Sequence, residues 1–389
     1  MNDTLNSKIL FFTNTPPEYR IPLYQKMSSG YEITFVFTEM ELAKKVYKND
    51  LDNNKMSKIR YHELPEKNKL TDIKKLISNH TVKGVVIPPL DSFKESAYAY
   101  WIYYCSKKYK KKVFYFWGKW EAPTDKQPIK KKLKNSFQRM IVKPIIRHAD
   151  CTIGYGKKAC EYLISNGANA QKCYPAYYSS MSPVCERTNW KQDNNIPTDR
   201  ICVLYFGRVI EKKGLRVLID AFGILDEIVN EKIWLVIAGD GPDRDNLQKY
   251  ASSRGVFNIS WLGFIHPDER YNYFSQCSIF VLPTSYYEGS VEAWGMTVNE
   301  ALQCGNILIA TEAVGSAYEL INEKNGYIVK AGDPESLSMA LADAVLNKDI
   351  NAVIEEDERI IKTYNYNNSA QHLIGIFEET IAKVDRYER

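Results

Sequence analysis

Residues 283–310 read PTSYYEGSVEAWGMTVNEALQCGNILIA, and two glutamates in this segment, Glu292 and Glu300, have seven residues between them. The apolar run Ile279–Leu282 comes just before the segment and predicts a buried strand, whereas Met296–Cys304 is helix-permissive and is followed by a glycine. Glu292 is therefore expected in a strand-to-helix turn, and Glu300 just over one turn into the helix.

The same turn has the properties of an anion-binding loop. Gly295 allows the backbone to approach a ligand closely, and the first free amides of the following helix point into the same space with the positive end of the helix dipole. A diphosphate fits there. A carboxylate on each side accepts hydrogen bonds from hydroxyl pairs, as a ribose and a sugar ring require. The pattern predicts a nucleotide-sugar site.

The segment from Glu292 to Ala301, EAWGMTVNEA, resembles the E-x7-E motif of retaining glycosyltransferase family four, the glycosyl transferases group 1. One such motif is a weak signal, whereas four motifs in the same order and spacing are a strong one. The similarity covers roughly residues 201–330, and residues before it match only in general pattern. The three further segments are FGRVIEKKG at 206–214 followed by LIDAF at 218–222, AGDGP at 238–242 and WLGF at 261–264.

The resemblance implies a GT-B fold, in which two Rossmann-like parallel-sheet domains face a cleft and a C-terminal helix crosses back to the first domain. It also implies retention of the anomeric configuration and a donor bound to the second domain. Arg208 and Lys213 match the residues that bind the donor diphosphate. Glu300 matches the residue that binds the ribose, and Glu292 the one that contacts the donor sugar. Further donor-binding positions in the matched motifs are Gly207, Gly239, Gly241, Phe264, Ile265, Trp294, Gly295 and Met296.

Each of these residues also has a structural explanation. Arg208 and Lys213 are alternatively two solvated loop charges, and the paired glutamates are alternatively a helix cap and a surface charge. The Gly-Asp-Gly-Pro segment is good turn chemistry by itself, and Phe264 is alternatively a core aromatic. Glu288 also precedes a glycine, but the spacing favours Glu292, which alone has Gly three residues on and Glu eight residues on.

Asp243-Arg244-Asp245 spells D-x-D, the metal-binding signature of a different glycosyltransferase fold. It falls in the first turn of a predicted helix, where acidic residues interact favourably with the helix dipole. We therefore predict no metal and no cofactor, with a nucleotide-diphosphate sugar as a substrate. The eight cysteines contain no C-x-x-C pair and no paired histidine spacing, so we expect free thiols in a reducing compartment.

Length and composition fit two globular domains. The chain has 389 residues, of which 44% are hydrophobic and 25% charged, as in folded proteins with room for two cores. We predict an N-terminal acceptor domain at 1–180, a donor domain at 181–365 and a returning helix at 366–389, with a polar linker at 175–200. The predicted strands are Ile9–Phe12, Ile33–Phe37, Val85–Ile87, Val113–Phe116 and Thr152–Gly154 in the first domain, and Ile201–Phe206, Trp234–Ala238, Ile279–Leu282, Ile307–Ala310 and Tyr327–Val329 in the second.

The sequence shows no signal for insertion into or passage across a membrane. No apolar run approaches the ~20 residues that a membrane span needs. The first residues, MNDTLNSKILFF, lack the basic region and the long apolar run of a signal peptide. We therefore expect a cytoplasmic protein.

Positive charge is concentrated in residues 107–147, which hold fourteen basic and two acidic residues. This local charge of +12 leaves −7 for the rest of a chain whose total is +5. The charge density predicts contact with an anionic membrane surface, and the alternative is a solvated lysine face. We expect no nucleic-acid partner, because no nucleic-acid-binding module surrounds the segment.

Within that segment we predict a helix that starts at Pro128 and kinks or ends at Pro144. Its apolar residues recur at helical spacing and are expected to pack as one stripe on the sheet, with the basic residues mostly on other faces. The apolar residues are Ile129, Leu133, Phe137, Met140, Ile141 and Ile145.

The first domain carries weaker signals for an acceptor site. The family often has a glycine pair after the first strand, whereas this chain has NTPPEYR at 14–20. Arg20 is predicted either to hold an acidic or phosphorylated acceptor or to begin the next helix. Trp117 and Trp120 come at the end of a strand, where open sheets bind ligands, and Glu121 follows them as a base for an acceptor hydroxyl. The alternative is a pair of buried aromatics with a loop carboxylate.

Together these features predict a retaining, metal-independent glycosyltransferase of the hexosyltransferase type. Its expected acceptor is glycan or lipid-linked, in cell-surface polysaccharide or glycolipid biosynthesis, at the inner membrane face. One alternative is a nucleotide-sugar epimerase of the same fold, which needs no acceptor surface and usually lacks the E-x7-E arrangement. The other is a non-catalytic partner subunit, which is expected to lose the charged donor ligands that are all present here.

Overall fold

The computed structural model describes residues 7–40, 56–65, 67–88, 93–183, 185 and 188–382, with the backbone alone at 93–95. The chain forms two compact units. One unit runs up to Lys119, takes in Leu133–Ser179 and resumes at Tyr364, and the other comprises Trp120–Lys132 and Ser180–Thr363. Residues 120–132, which we expected in the acceptor domain, therefore group with the second unit.

The first unit contains a seven-stranded sheet in which all paired strands are parallel. The strand order is β3-β2-β1-β4-β5-β6-β7, and its inner strands are continuous apolar runs, as expected where helices cover both faces. The strands are β1 (Ile9–Thr13), β2 (Ile33–Phe37), β3 (Tyr61–Glu63), β4 (Gly84–Ile87), β5 (Lys112–Trp117), β6 (Cys151–Tyr155) and β7 (Cys173–Ala176).

The second unit contains a parallel sheet of six strands in the order β10-β9-β8-β11-β12-β13. Its first strand in the chain, β8, lies between β9 and β11, so the strand order reverses there. Open sheets bind ligands outside the carboxyl ends of the strands at such a switch point. The strands are β8 (Ile201–Phe206), β9 (Ile233–Ala238), β10 (Ile259–Gly263), β11 (Ile279–Leu282), β12 (Ile307–Thr311) and β13 (Gly326–Val329).

Helices lie between most successive strands of the described residues, as expected for parallel pairing. In chain order through the described residues they are α1 (Ile21–Gly30), α2 (Lys69–Ser78), α3 (Phe93–Lys108), α4 (Ile129–His148), α5 (Gly156–Ser165), α6 (Trp190–Asp193), α7 (Leu215–Gly223), α8 (Glu227–Asn230), α9 (Arg244–Ser253), α10 (Arg270–Phe274), α11 (Met296–Leu302), α12 (Ala317–Leu320), α13 (Pro334–Leu346), α14 (Ile350–Thr363) and α15 (Tyr366–Ala382).

Helix α15 confirms the predicted return of the chain to the first unit. Phe377 on this helix is completely buried. Its ring centroid lies 4.9 Å from that of Phe114 on β5 and 6.5 Å from that of Phe11 on β1. The predicted end of the helix at residue 389 lies outside the described residues.

The predicted strands agree with the structure to within one residue at each end. Two edge strands of the first unit were not predicted. Strand β3 is short and polar, and strand β7 contains Pro175, which we had placed at the start of the linker. Edge strands tolerate proline because they leave backbone groups unpaired, so the apolar pattern that finds inner strands does not find them.

Helix α4 differs from the prediction. The expected single stripe is split: Ile145 is completely buried, Ile141 is half-buried, and the other four apolar residues are exposed. The residues that pack into the core are instead Val142, Ile145 and Ile146, on the opposite side of the helix. The helix also continues through Pro144 to His148 rather than ending there. The exposed residues are Ile129, Leu133, Phe137 and Met140.

Candidate functional site

Three loops meet at the carboxyl ends of β8, β9 and β11. A Cβ atom at Gly239 would lie 1.8 Å from the carbonyl oxygen of Gly207, and one at Gly214 would lie 1.8 Å from that of Pro283. Because these distances are far below van der Waals contact, only glycine allows the loops to approach so closely. Loop packing therefore explains these glycines, and contact of Gly207, Gly239 and Gly241 with a donor stays a prediction.

The loop after β8 brings Lys213 into contact with Glu292 in the loop after β11. The Lys213 Nζ pairs with a carboxylate oxygen of Glu292, and the two side chains are 18% and 25% exposed. The Glu292 N–H donates to the Ala313 carbonyl at 2.9 Å, and its carbonyl accepts from the Gly315 N–H at 3.0 Å. The pair places a cation beside a carboxylate that can accept hydrogen bonds from hydroxyl groups. A sugar diphosphate requires both, the cation for its phosphates and the carboxylate for its sugar hydroxyls.

Arg270, which no motif predicted, pairs with Glu300. The Arg270 Nε lies 2.8 Å from Glu300 Oε1, and the side chains are 17% and 14% exposed. The N–H does not point along this line, so the contact is an ion pair rather than a hydrogen bond. Burial raises the pKa of Glu300 to about 7, although the Arg270 charge lowers it. Glu300 therefore titrates near neutral pH.

Arg208 follows β8, two residues beyond the end of the strand. Its side chain is exposed, and its carbonyl accepts a hydrogen bond from the Tyr205 hydroxyl at 2.7 Å. Tyr205 is completely buried, and its pKa is raised by burial and, second, by the charge of Glu292. Tyr205 thus links the backbone of Arg208 to the surroundings of Glu292.

Trp294, Gly295 and Met296 connect the two glutamates. The Trp294 side chain is buried, and its indole N–H donates to the Asn299 side chain at 2.7 Å. The ring thus holds the turn, and contact of Trp294 with a donor stays a prediction. Gly295 has φ +97° at the start of α11, a conformation that favours glycine. Met296 is half-buried.

The remaining second-unit candidates lie on neighbouring loops. Phe264 is 72% exposed, which excludes the core-aromatic alternative, and Ile265 beside it is half-buried. Glu288, the rival of Glu292, is also exposed, with φ +48°. Asp243 accepts a hydrogen bond from the Glu211 N–H at 2.8 Å, so the first acid of the D-x-D segment orders a loop.

Comparison with known proteins supports the resemblance. Residues 186–365 match the family model of the glycosyl transferases group 1. The matched residues make up most of the second unit, which is therefore similar to the glycosyl transferases group 1. The matched region contains every predicted donor residue from Gly207 to Glu300.

Curated proteins that are similar in sequence to this chain carry glycosyltransferase names. The chain is 23% identical to the uncharacterized glycosyltransferase MJ1069 of Methanocaldococcus jannaschii, over 65% of this chain and 64% of that protein. It is 28% identical to the lipopolysaccharide core biosynthesis glycosyltransferase LpsE of Rhizobium meliloti, over 41% of this chain and 44% of that protein. The chain thus spans less than two thirds of the length of these curated relatives.

Solved structures confirm the predicted GT-B fold class. Anabaena Alr3699/HepE in complex with UDP has a TM-score of 0.72 at 14% identity, covering 96% of this chain and 100% of that one. The lipopolysaccharide outer core galactosyltransferase WaaB has a TM-score of 0.68 at 14% identity, covering 95% of this chain and 99% of that one. At these identities the likeness concerns the fold. Among the described residues, no helix has both the length and the apolar character needed to cross a membrane.

The first unit surrounds the Arg20 side chain with aromatic rings. Its guanidinium donates to the Tyr178 hydroxyl and lies 5.2 Å from the ring centroid of Tyr155. The Arg20 Nε is buried, and no hydrogen-bond partner for it lies in the described part of the chain. The structure thus holds Arg20 at the start of α1, and its contact with an acceptor stays a prediction.

The predicted aromatic acceptor residues take structural positions. Trp117 is buried and stacks on Tyr115 and Tyr162, so it belongs to the core of the first unit. Trp120 is buried in the second unit, where its indole N–H donates to the Ala293 carbonyl at 3.3 Å. This bond explains why residues 120–132 group with the donor motif. Both tryptophans are therefore corrected from sugar stacking to packing, and Glu121 remains a half-buried candidate.

Proposed function

We propose that this protein is a retaining glycosyltransferase of the hexosyltransferase type that transfers a sugar from a nucleotide-sugar donor to an acceptor hydroxyl without a metal ion. The observation that carries the proposal is that each of the two motif glutamates in the second unit is paired with a cation. Lys213 pairs there with Glu292, Arg270 pairs with Glu300, and Arg208 follows β8 in an exposed position.

In the proposed reaction, Arg208 and Lys213 bind the diphosphate and neutralise the charge that develops on it. Lys213 exchanges its bond to Glu292 for a phosphate oxygen, and Glu292 then accepts hydrogen bonds from the donor sugar. Stabilising a developing anion with preorganised cations is the largest electrostatic demand of such a step. Glu300 binds the ribose hydroxyls, and the Arg270 charge offsets part of the rise in the pKa of Glu300 that burial causes.

The transfer itself is proposed to be a same-face substitution. The acceptor oxygen forms a bond to the anomeric carbon while the bond from that carbon to the diphosphate oxygen breaks. The acceptor proton passes to the departing diphosphate. The nucleotide-diphosphate sugar and the acceptor hydroxyl are thereby converted into a glycoside and a protonated nucleotide diphosphate, and no additional reactant is needed.

Names of relatives support the substrate classes. HepE has been solved with UDP and with UDP-glucose, which supports a nucleotide-diphosphate sugar as the donor. LpsE is a lipopolysaccharide core enzyme, and an O-antigen chain mannosyltransferase of Escherichia coli is 25% identical over 45% of this chain. We therefore propose a cell-surface glycan or lipid-linked acceptor. We also propose a peripheral location at the inner membrane face.

The proposal is tested by incubating the protein with a panel of nucleotide sugars, with and without a membrane extract. We expect nucleotide release that the extract stimulates. Isomerisation of the donor without release would instead indicate an epimerase. Donor binding with neither reaction would indicate a non-catalytic partner subunit, and either outcome would refute glycosyl transfer.

A further inference from the structure

Helix α4 carries an exposed apolar row that consists of Ile129, Leu133, Phe137 and Met140. These side chains are 75%, 68%, 57% and 61% exposed, respectively. Their spacing of four, four and three residues places them within an arc of about 80° on one side of the helix. A row of this size is larger than the scattered apolar residues of an ordinary surface and indicates a contact surface.

The exposed apolar row is held outward by the opposite side of the same helix. Val142, Ile145 and Ile146 are completely or almost completely buried. The Tyr100 hydroxyl on α3 donates to the Ile141 carbonyl, which fixes α4 beside α3. The row therefore cannot turn inward without breaking the core of the first unit.

Basic residues flank the exposed apolar row on both sides. Helix α4 has seven lysines and arginines and no acidic residue. Helix geometry places Lys130 and Lys134 along one edge of the row, and Lys132, Arg139 and Lys143 along the other. The nearest acidic side chains in the chain are already paired: Asp125 with Lys126 at 3.6 Å, and Asp150 with Lys112 at 3.1 Å.

The combination of exposed apolar side chains with flanking cations distinguishes between two kinds of anionic partner. A nucleic-acid backbone attracts the cations but gains nothing from four exposed apolar side chains. An anionic bilayer matches both parts, because apolar side chains enter the boundary of the acyl chains while the flanking cations contact the headgroups. The long stems of lysine and arginine allow their charges to stay at the headgroup level.

We propose that helix α4 is an interfacial anchor, which lies in the plane of an anionic membrane with the exposed apolar row inserted. The inference rests on the proposed peripheral location and specifies its surface. It needs neither donor nor turnover, so it is tested separately from glycosyl transfer. The anchor holds the protein where a lipid-linked acceptor resides.

The test is co-sedimentation of the full chain with vesicles of phosphatidylcholine alone or with added phosphatidylglycerol. We expect binding to the anionic vesicles, little binding to the neutral ones, and weakening by salt. The double variant Phe137→Ser/Met140→Ser should bind the anionic vesicles at least about tenfold more weakly, because two exposed apolar side chains are lost from the membrane contact.

Met339→Ser is the matched control, since Met339 on α13 is 73% exposed but lies far along the chain from α4. It should bind as the unmodified protein does. All three proteins should keep the same thermal stability, because the substituted residues are exposed. Equal binding to neutral and anionic vesicles, no binding to either, or an unchanged affinity of the α4 variant would each overturn the proposal. Nucleotide release from the donor in the presence of a water-soluble acceptor should be the same for all three proteins.

Discussion

Replacing Lys213 with alanine tests the site most directly, because it removes one cation from a defined pair. Lys213 and Glu292 are 18% and 25% exposed. In its exposure to solvent the pair is intermediate between two kinds of ion pair. Exposed pairs contribute about 0–1 kcal/mol to stability, and the disruption of buried pairs costs about 3–5 kcal/mol. We expect Lys213→Ala to lower the free energy of unfolding by about 2 kcal/mol.

The expected loss of turnover is larger than the loss of stability. In the proposed reaction Lys213 stabilises the negative charge that develops on the departing diphosphate. Removal of one such group costs about 100-fold to 1,000-fold in turnover, equivalent to about 3–4 kcal/mol. The variant should therefore fold at ambient temperature and release nucleotide at least about 100-fold more slowly than the unmodified protein.

The assay combines urea denaturation with nucleotide release under saturating donor. Lys212→Ala is the matched control, because Lys212 is the adjacent lysine and is exposed. A double-mutant cycle of Lys213→Ala with Glu292→Gln isolates the coupling between the partners, which should be about 2 kcal/mol in unfolding. Normal turnover of Lys213→Ala, or equal effects of the two lysine variants, would refute the assignment. A coupling free energy of zero would show that Lys213 and Glu292 do not interact in the folded protein, and would refute the pair.

Three further predictions concern buried acids and a loop glycine. Burial raises the pKa of Glu300 from 4.5 to about 7, so the folded protein binds this proton more tightly than the unfolded chain does. The free energy of unfolding should therefore fall as the pH rises from about 4.5 to 7. Glu300→Gln should remove that pH dependence, as measured by urea denaturation at a series of pH values. Burial likewise raises the pKa of Asp357 from 3.8 to about 8, so the free energy of unfolding should fall as the pH rises between these values. At alkaline pH the Asp357→Asn variant should be at least about 2 kcal/mol more stable than the unmodified protein, as measured by thermal unfolding. Gly214→Ala should cost at least about 2 kcal/mol, because its Cβ would meet the Pro283 carbonyl. Gly332→Ala has a similar positive φ but open space around it, and should cost only about 1 kcal/mol by chemical denaturation.

The inner strands and the helix–strand alternation were predictable because burial on both faces of a parallel sheet demands continuous apolar runs. Strand β8, with the sequence ICVLYF, shows this relation directly. The two edge strands of the first sheet, β3 and β7, were not predictable in the same way. Strand β7 holds a proline and strand β3 holds polar residues, and both are defined by pairing with a neighbour rather than by their own composition.

The candidate site was predictable only where one motif contains its residues. Glu292 and Glu300 follow from their spacing, whereas the partner of Glu300 does not. Arg270 is the first residue of α10, which no matched motif covers, and only the folded chain brings its guanidinium to the Glu300 carboxylate. The roles of Trp117 and Trp120 also depended on burial, because an aromatic at the end of a strand has the same sequence signal whether it faces a ligand or a core.

The amino-acid order alone determined that this is a two-sheet α/β chain with a group 1 glycosyltransferase motif, because local periodicity and motif spacing are properties of neighbouring residues. Tertiary structure alone decided that Lys213 meets Glu292 across 79 positions, and which side of α4 faces solvent. Periodicity shows that a helix has apolar residues on one side. Which side is buried depends on the elements packed against it, and those contacts come from distant parts of the chain.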